Sequence, residues 1–171
     1  SGPKRRLFTD AMSSSDSNWP NLLKRLAADY PQFRLQPGER DYWSPERQTV
    51  FYAKNGRGKR RAWSLLHELA HALLSHREYQ SDFELLKLEA QAWHQAQQLG
   101  LAYGVRISDR HIQRCLDTYR DWLHRRSTCP TCGLRSLQRD ERHYDCANCG
   151  TRWSVTTERF NRPYRLRSKS A

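Results

Sequence analysis

The sequence has 171 residues, enough for one domain of ordinary size and a small additional module. Its net charge of +12 at pH 7 favours a polyanionic partner such as nucleic acid, with a merely solubilising basic surface as the alternative. Because no run of about 18 apolar residues and no signal-like start is present, we expect an intracellular protein without a membrane span, in the cytoplasm, nucleoid or nucleus.

The first third of the chain predicts a tail, one helix and a small sheet. Residues 1–17 contain few large apolar side chains and are predicted to form a flexible tail. Asn18 can cap a helix over residues 19–30. The alternating segments 33–35, 41–43 and 48–53 predict strands, and the last two are typical of a hairpin.

Five cations surround a predicted turn at residues 55–58 and lead into the next helix. They can hold a phosphate backbone or an acidic substrate segment near that helix, although such charge runs are often only solvated. The candidate nucleic-acid contacts here are Lys54, Arg57, Lys59, Arg60 and Arg61.

The segment 59–77, KRRAWSLLHELAHALLSHR, contains an H-E-x-x-H motif from His67 to His71. Residues four apart lie one turn above each other on a helix, so both imidazoles can bind one zinc ion, with Glu68 as the general base. One half of the helix is apolar and the two histidines lie among large apolar side chains, which favours a metal site over two ordinary histidines. His76 projects onto the back of this helix, and we exclude it as a ligand.

The third ligand is expected on the following helix, which begins with a capping box. Ser81 is the predicted N-cap and Glu84 folds back onto it. Glu89 lies in the middle of the apolar stripe of this helix, where a carboxylate must be paired or bound to a metal. We therefore assign Glu89 as the third zinc ligand, with a buried Glu–Arg pair as the alternative.

These segments resemble a known family of metallopeptidases. LLHELAHALLSH followed by LEAQAW is similar to the ImmA/IrrE type, with a gluzincin arrangement of ligands, over about residues 48–100. The resemblance implies His67, His71 and Glu89 as ligands and Glu68 as the base. It also implies that strand 48–53 lies at the sheet edge and pairs with an extended peptide substrate. Tyr79, Tyr103 and several arginines are candidates for stabilising the oxyanion, and the sequence does not decide among them.

A further helix, capped by Ser108, is predicted to extend to about residue 126. Its inner stripe includes Cys115, the only cysteine without a predicted partner, which is most simply a small buried apolar residue.

The other four cysteines form the strongest pattern in the chain. Their spacing is C-x2-C-x13-C-x2-C, and a glycine follows each pair. This pattern predicts a structural zinc ribbon rather than two disulfides, which would need an oxidising compartment. The predicted ligands are Cys129, Cys132, Cys146 and Cys149.

Cations and aromatic residues alternate within the ribbon, and a basic segment follows it at residues 161–171. This composition suits nucleic acid, in particular single strands whose bases can stack, and the alternative is a ribbon that braces the catalytic domain or contacts a protein. The candidate nucleic-acid contacts in the ribbon are Arg135, Arg139, Arg142, Tyr144, Arg152 and Trp153.

The sequence thus predicts an α+β fold, with a small zincin-like domain of helices and a short antiparallel sheet before the C-terminal ribbon. The expected boundaries are 1–17 for the tail, 18–126 for the metallopeptidase domain, 127–160 for the ribbon and 161–171 for the basic tail. The order of catalytic domain and four-cysteine ribbon also resembles that of the SprT-like proteases, which are associated with DNA. However, the Gly-rich segment carrying their third ligand, a histidine, is missing here.

The predicted function is that of a zinc-dependent intracellular metalloendopeptidase associated with or regulated by DNA. It would use two Zn²⁺ ions, one catalytic and one structural, and would act on a protein or peptide substrate. Two alternatives stay open. One is a DNA-binding zinc-ribbon protein whose zincin site is regulatory or inactive, and the other is a structural adaptor with two zinc ions.

Overall fold

The computed structural model describes residues 18–156 and 166–167 and has an α+β architecture, as predicted. The described helices are α1 (Trp19–Asp29), α2 (Gly58–Leu73), α3 (Asp82–Ala102) and α4 (Asp109–Ser127). None of them combines the length and the apolar character that crossing a membrane requires. The predicted flexible tail and most of the basic C-terminal segment lie outside the described residues.

The first sheet consists of β1 (Arg34–Gly38), β2 (Tyr42–Ser44) and β3 (Thr49–Ala53), in the order β1-β3-β2. β2 and β3 form the predicted antiparallel hairpin, whereas β1 runs parallel to β3, so the sheet is mixed rather than antiparallel. The expectation of an edge at residues 48–53 is wrong, because β1 and β2 occupy both sides of β3. Of the two outer strands, β2 is hydrogen-bonded to α2 through its Trp43 amide.

The core lies between this sheet and the helices. The apolar face of α2 contributes Leu65, Leu66 and Leu69, which are fully buried together with Leu26 of α1 and Val50 of β3. Burying such a side chain contributes about 1.5–3 kcal/mol, so this face fixes the position of α2 in the domain.

Helix α3 begins at the predicted cap. Ser81 Oγ accepts a hydrogen bond from the Glu84 amide at 3.1 Å, while the Glu84 carboxylate accepts one from the Gln80 amide at 2.8 Å. Near the other end, a Cβ atom on Gly100 would lie 2.2 Å from the Val105 carbonyl oxygen, so only glycine allows the chain to turn back so tightly there.

The cysteine-rich module forms a second sheet of β4 (Leu137–Asp140), β5 (His143–Asp145), β6 (Arg152–Ser154) and β7 (Leu166–Arg167), in that order. β7 pairs with β6, so this sheet extends beyond the predicted ribbon boundary at residue 160. Tyr144 and Trp153 stack in its small core, with ring centroids 5.6 Å apart.

A buried polar network joins this module to the helices. Asp82, in the first turn of α3, accepts hydrogen bonds from Arg126 Nε at 2.7 Å and from the Tyr144 hydroxyl at 2.5 Å. Arg126, at the end of α4, also donates to the Thr156 carbonyl, and its own carbonyl accepts from Trp153 Nε1 at 2.9 Å. Since these groups lie on both sides of the junction, the ribbon is held against the ends of α3 and α4.

Candidate metal centre

Three donor atoms from α2 and α3 converge at one buried point. His67 Nε2 lies 3.1 Å from Glu89 Oε2, and His71 Nε2 lies 3.4 Å from Glu89 Oε1. The two Nε2 atoms are 3.1 Å apart, and all three donors fit within 4.8 Å. The one-turn spacing on α2 and the packing of α3 against it produce this geometry.

The donor set fits a zinc ion. Burial alone would raise the pKa of Glu89, but the hydrogen bonds and charges of His67 and His71 hold it well below its ordinary value. The donor atoms lie close enough together to bind one cation, and two His with one Glu is a known ligand set for zinc with a fourth position open. The three predicted ligands are therefore brought together as a candidate metal site.

Glu68 is oriented by the edge of the sheet. Its Oε2 accepts a hydrogen bond from the backbone amide of Trp43, on β2, at 2.9 Å. Burial raises the pKa of Glu68, and the neighbouring His67 and His71 offset part of that effect. The result is a carboxylate beside the metal donors with one oxygen fixed and an enhanced affinity for a proton.

His76 contacts the centre in a way that the helical projection did not anticipate. It is not among the three donors, but its Nδ1 lies 2.9 Å from His71 Nδ1. Helix α2 ends at Leu73, and Ser75 then adopts a left-handed backbone with φ of 54°. The amides of Ser75 and His76 bond to the carbonyls of Ala72 and His71, which is a Schellman motif. The helical projection gave the wrong direction for the His76 side chain, because the helix ends at Leu73 and the chain turns at Ser75, before His76.

Aromatic rings form one wall of the centre. Trp93 of α3 stacks on His67 with centroids 4.0 Å apart and planes at 21°. His111 of α4 lies edge-on to Trp93 at 5.3 Å and against Trp63 at 4.7 Å. His67 Nδ1 is buried and makes no hydrogen bond to any residue that the structure describes, so stacking holds this ring. The apolar stripe of α3 was the only sequence signal for Trp93.

The four predicted cysteines also converge. Their Sγ atoms lie within 4.8 Å of one another, with 3.6 Å between Cys129 and Cys149 and 3.5 Å between Cys132 and Cys146. Tetrahedral zinc with Zn–S bonds of about 2.3 Å places sulfurs about 3.8 Å apart, whereas a disulfide is near 2.05 Å. All four cysteines are free thiols in this geometry, which fits one zinc ion.

The two halves of the cluster have the same backbone turn. Gly133 and Gly150 have φ of 75° and 72°, and their amides bond to the carbonyls of Cys129 and Cys146 at 3.0 and 2.9 Å. Such turns direct amides at the thiols, and the backbone hydrogen bond from Cys149 is the main cause that lowers the pKa of Cys146 to about 6. A thiolate is the form that binds zinc.

A family model described as IrrE N-terminal-like domain, a peptidase family, matches residues 30–162. The chain belongs to this family. The match includes the metal donors and the four cysteines, and so extends well beyond the segment in which the sequence resemblance was found. Neither the comparison with curated proteins nor that with solved structures gave a significant match.

Two of the predicted nucleic-acid contacts in this IrrE-like chain are wrong. Tyr144 is 1% exposed and Trp153 is 0% exposed, so neither ring can stack on a base. Both lie in the ribbon core and hydrogen-bond to the network around Asp82 and Arg126. The alternation of aromatic and basic residues reflected a two-sided strand rather than a binding surface.

The predicted cations differ in their surroundings. Arg61 is half-buried, with its guanidinium 3.9 Å from the centroid of Trp19, so it packs rather than projects into solvent. The other predicted cations are exposed: Lys54, Arg57, Lys59, Arg60, Arg135, Arg139, Arg142 and Arg152. They are not a single cluster, since some lie before α2 or in its first turn and the rest lie on the ribbon.

Of the two tyrosines considered for stabilising the oxyanion, Tyr103 is hydrogen-bonded to α1. Its hydroxyl donates a hydrogen bond to Asp29 at 2.6 Å, and its ring is buried against α1. Tyr103 therefore braces the helices, and its role at the metal centre is excluded.

Proposed function

We propose that this IrrE-like chain is a zinc-dependent endopeptidase that hydrolyses peptide bonds of a protein substrate. The observation that carries this proposal is the convergence of His67, His71 and Glu89 beside Glu68, inside a chain of a metallopeptidase family. The four-cysteine cluster would hold a second, structural zinc ion, because four thiolates leave no position open for substrate.

The zinc ion, when bound by His67, His71 and Glu89, supplies a Lewis acid for the peptide carbonyl and for the attacking water. Glu68 accepts a proton from that water and later passes it to the leaving amine. The amide of Trp43 holds one oxygen of Glu68, so the carboxylate keeps its orientation in both steps. The raised pKa of Glu68 strengthens it as a base.

The outer strand β2 takes the substrate-binding role that was expected of residues 48–53. β3 is paired on both sides, whereas β2 is paired only with β3 among the described strands. An extended peptide can add to such an edge through backbone groups other than the Trp43 amide, which is already bonded to Glu68, and so pass over α2.

A comparison of the wild type with Glu68→Gln tests the enzymatic proposal. We expect two zinc ions per chain in both proteins by elemental analysis, and cleavage of an unstructured protein or of the chain itself only in the wild type. The exposed Glu141→Gln is a matched control that should retain activity. Two zinc ions without any Glu68-dependent cleavage would instead favour a regulatory or inactive zincin site.

Association with DNA is a second proposal, supported by the exposed arginines of the ribbon and by the net charge of +12. Since the ribbon aromatics are buried, this binding would use phosphate contacts rather than base stacking. Oligonucleotide affinity should then fall with increasing salt and differ little between sequences. An affinity unchanged by Arg139→Ala/Arg142→Ala would count against the ribbon as the contact surface.

A further inference from the structure

A cavity of about 360 Å³ lies against the metal ligand Glu89, between α3 and α4 and the first turns of α2. Its wall includes Arg60, Glu89, Trp93, His111, Arg114 and Cys115. This volume is within the range of about 300–1,000 Å³ that is typical of ligand pockets.

The cavity is cationic. Arg60 of α2 and Arg114 of α4 both line it, and no carboxylate among the described residues forms an ion pair with either guanidinium. Of the described residues that line the cavity, Glu89 alone is acidic, and its oxygens face His67 and His71. An anion that enters therefore meets two guanidinium groups that are not already neutralised.

The remaining wall is rigid and largely apolar. His111 is held between Trp63 and Trp93, with Cys115 Sγ 3.6 Å from its Nε2. Burial and then the charges of Arg60 and Arg114 lower the pKa of His111, which favours the neutral ring. Such a wall suits the methylene groups of a side chain whose charged end contacts the arginines.

The helix geometry places this cavity close to the metal donors, with Trp93 between its His111 wall and His67. Arg60 precedes His67 by about two turns of α2, on the same face and roughly 10 Å along the axis. Trp93 separates His67 from His111 by one ring. A substrate residue close to the cleaved bond could thus place its side chain in the cavity.

We propose that this cavity is a specificity subsite for an acidic side chain of the protein substrate, with Arg60 and Arg114 as its charged contacts. The proposal rests on the peptidase function proposed above. Guanidinium groups bind carboxylates by paired, charge-assisted hydrogen bonds. A nucleic-acid backbone fits less well, because successive phosphates would approach the Glu89 carboxylate, whereas a single side chain brings one charge.

The test uses a set of fluorogenic peptides in which each position is Glu in one member and Gln in its pair. At one position near the cleaved bond, we expect a kcat/KM ratio of Glu to Gln of about tenfold or more in the wild type. The ratio should fall to about one in Arg60→Ala/Arg114→Ala. In Arg60→Glu/Arg114→Glu the preference should change to Lys at the same position.

The matched control is Arg47→Ala/Arg125→Ala, which removes the same charge from two exposed arginines outside the cavity and should keep the wild-type ratio. Circular dichroism and zinc content establish that each variant is folded. A ratio that is already near one in the wild type, or that the control alters as much as the cavity variant does, would overturn the subsite.

A binding measurement separates this proposal from the peptidase function. In a Glu68→Gln background, fluorescence anisotropy should give tighter binding of the Glu peptide than of the Gln peptide, and the cavity variant should abolish that difference. If no peptide is cleaved by the wild type but this difference is present, the subsite stands and the peptidase proposal fails. If neither peptide is preferred, or if the cavity variant loses only oligonucleotide binding, the subsite is overturned.

Discussion

Removal of the Asp82 carboxylate should be among the most destabilising single changes in the chain. The Asp82 and Arg126 side chains are 3% and 2% exposed, and Arg126 Nε and Nη2 lie 2.7 and 3.3 Å from the Asp82 oxygens. Among the described residues, Asp82→Ala leaves the buried Arg126 guanidinium with the Thr156 carbonyl, the Tyr144 hydroxyl and the ring of Trp122 as contacts, none of which carries a compensating charge. It also removes the acceptor of the Tyr144 hydroxyl.

The magnitude follows from the cost of an uncompensated buried charge. Breaking a buried ion pair by deleting one partner lowers the free energy of unfolding by about 3–5 kcal/mol. In a chain of this length, 1 kcal/mol corresponds to roughly 2–4 °C, so we expect a decrease in Tm of about 6–20 °C. Deleting both charges in Asp82→Ala/Arg126→Met should cost less than the sum of the single changes, since no charge is then left unpaired.

Thermal and guanidinium unfolding, followed by circular dichroism on the zinc-loaded protein, measure this effect. The exposed Asp121→Ala on α4 is the control and should change the free energy of unfolding by less than about 0.5 kcal/mol. Two results would refute the reasoning. One is a decrease in the free energy of unfolding below about 1 kcal/mol for Asp82→Ala, and the other is a decrease in the double variant that equals the sum of the two single changes. The Asp82 network would then not hold the ribbon to the helices.

Two further predictions concern the metal sites. His76→Ala should weaken zinc binding at the three-residue centre by about 10–100-fold, because it removes the contact that orients His71. Competition with a chelator measures this affinity. An unchanged affinity would show that His71 needs no such support. Cys149→Ser should reduce the zinc content by one ion per chain and lower Tm, since the ribbon core is small and depends on its metal. Elemental analysis that still finds two zinc ions in this variant would contradict the four-thiolate site.

Sequence periodicity predicted the parts of the structure that lie within single elements. The one-turn spacing of His67 and His71 and the capped start of α3 depend only on local helix geometry, and both are present. The glycine after each cysteine pair was part of the ribbon pattern, and both glycines have the positive φ of a tight turn. These features could be recognised because their partners are close in the sequence.

Features that depend on chain reversal or on strand order were not predictable in the same way. The expectation for residues 48–53 failed because a hairpin pattern does not reveal that β1 also pairs with β3. His76 was projected onto a helix that had already ended, since Ser75 adopts the left-handed conformation without being glycine. Tyr144 and Trp153 alternate with charged residues in the ribbon, but alternation alone does not indicate which side of a small sheet is covered.

Helix α3 illustrates why a buried carboxylate can be recognised before its partner is known. A carboxylate in an apolar stripe must be paired or bound to a metal, and the sequence left both alternatives open for Glu89. This helix has one buried carboxylate of each kind, about two turns apart. Asp82 is paired with Arg126, while Glu89 contacts the histidines His67 and His71. The carboxylates belong to one helix, but their partners come from α4 and α2. Local periodicity therefore identifies which residues need compensation, whereas the packing of the other helices determines whether an arginine or a pair of metal-binding histidines supplies it.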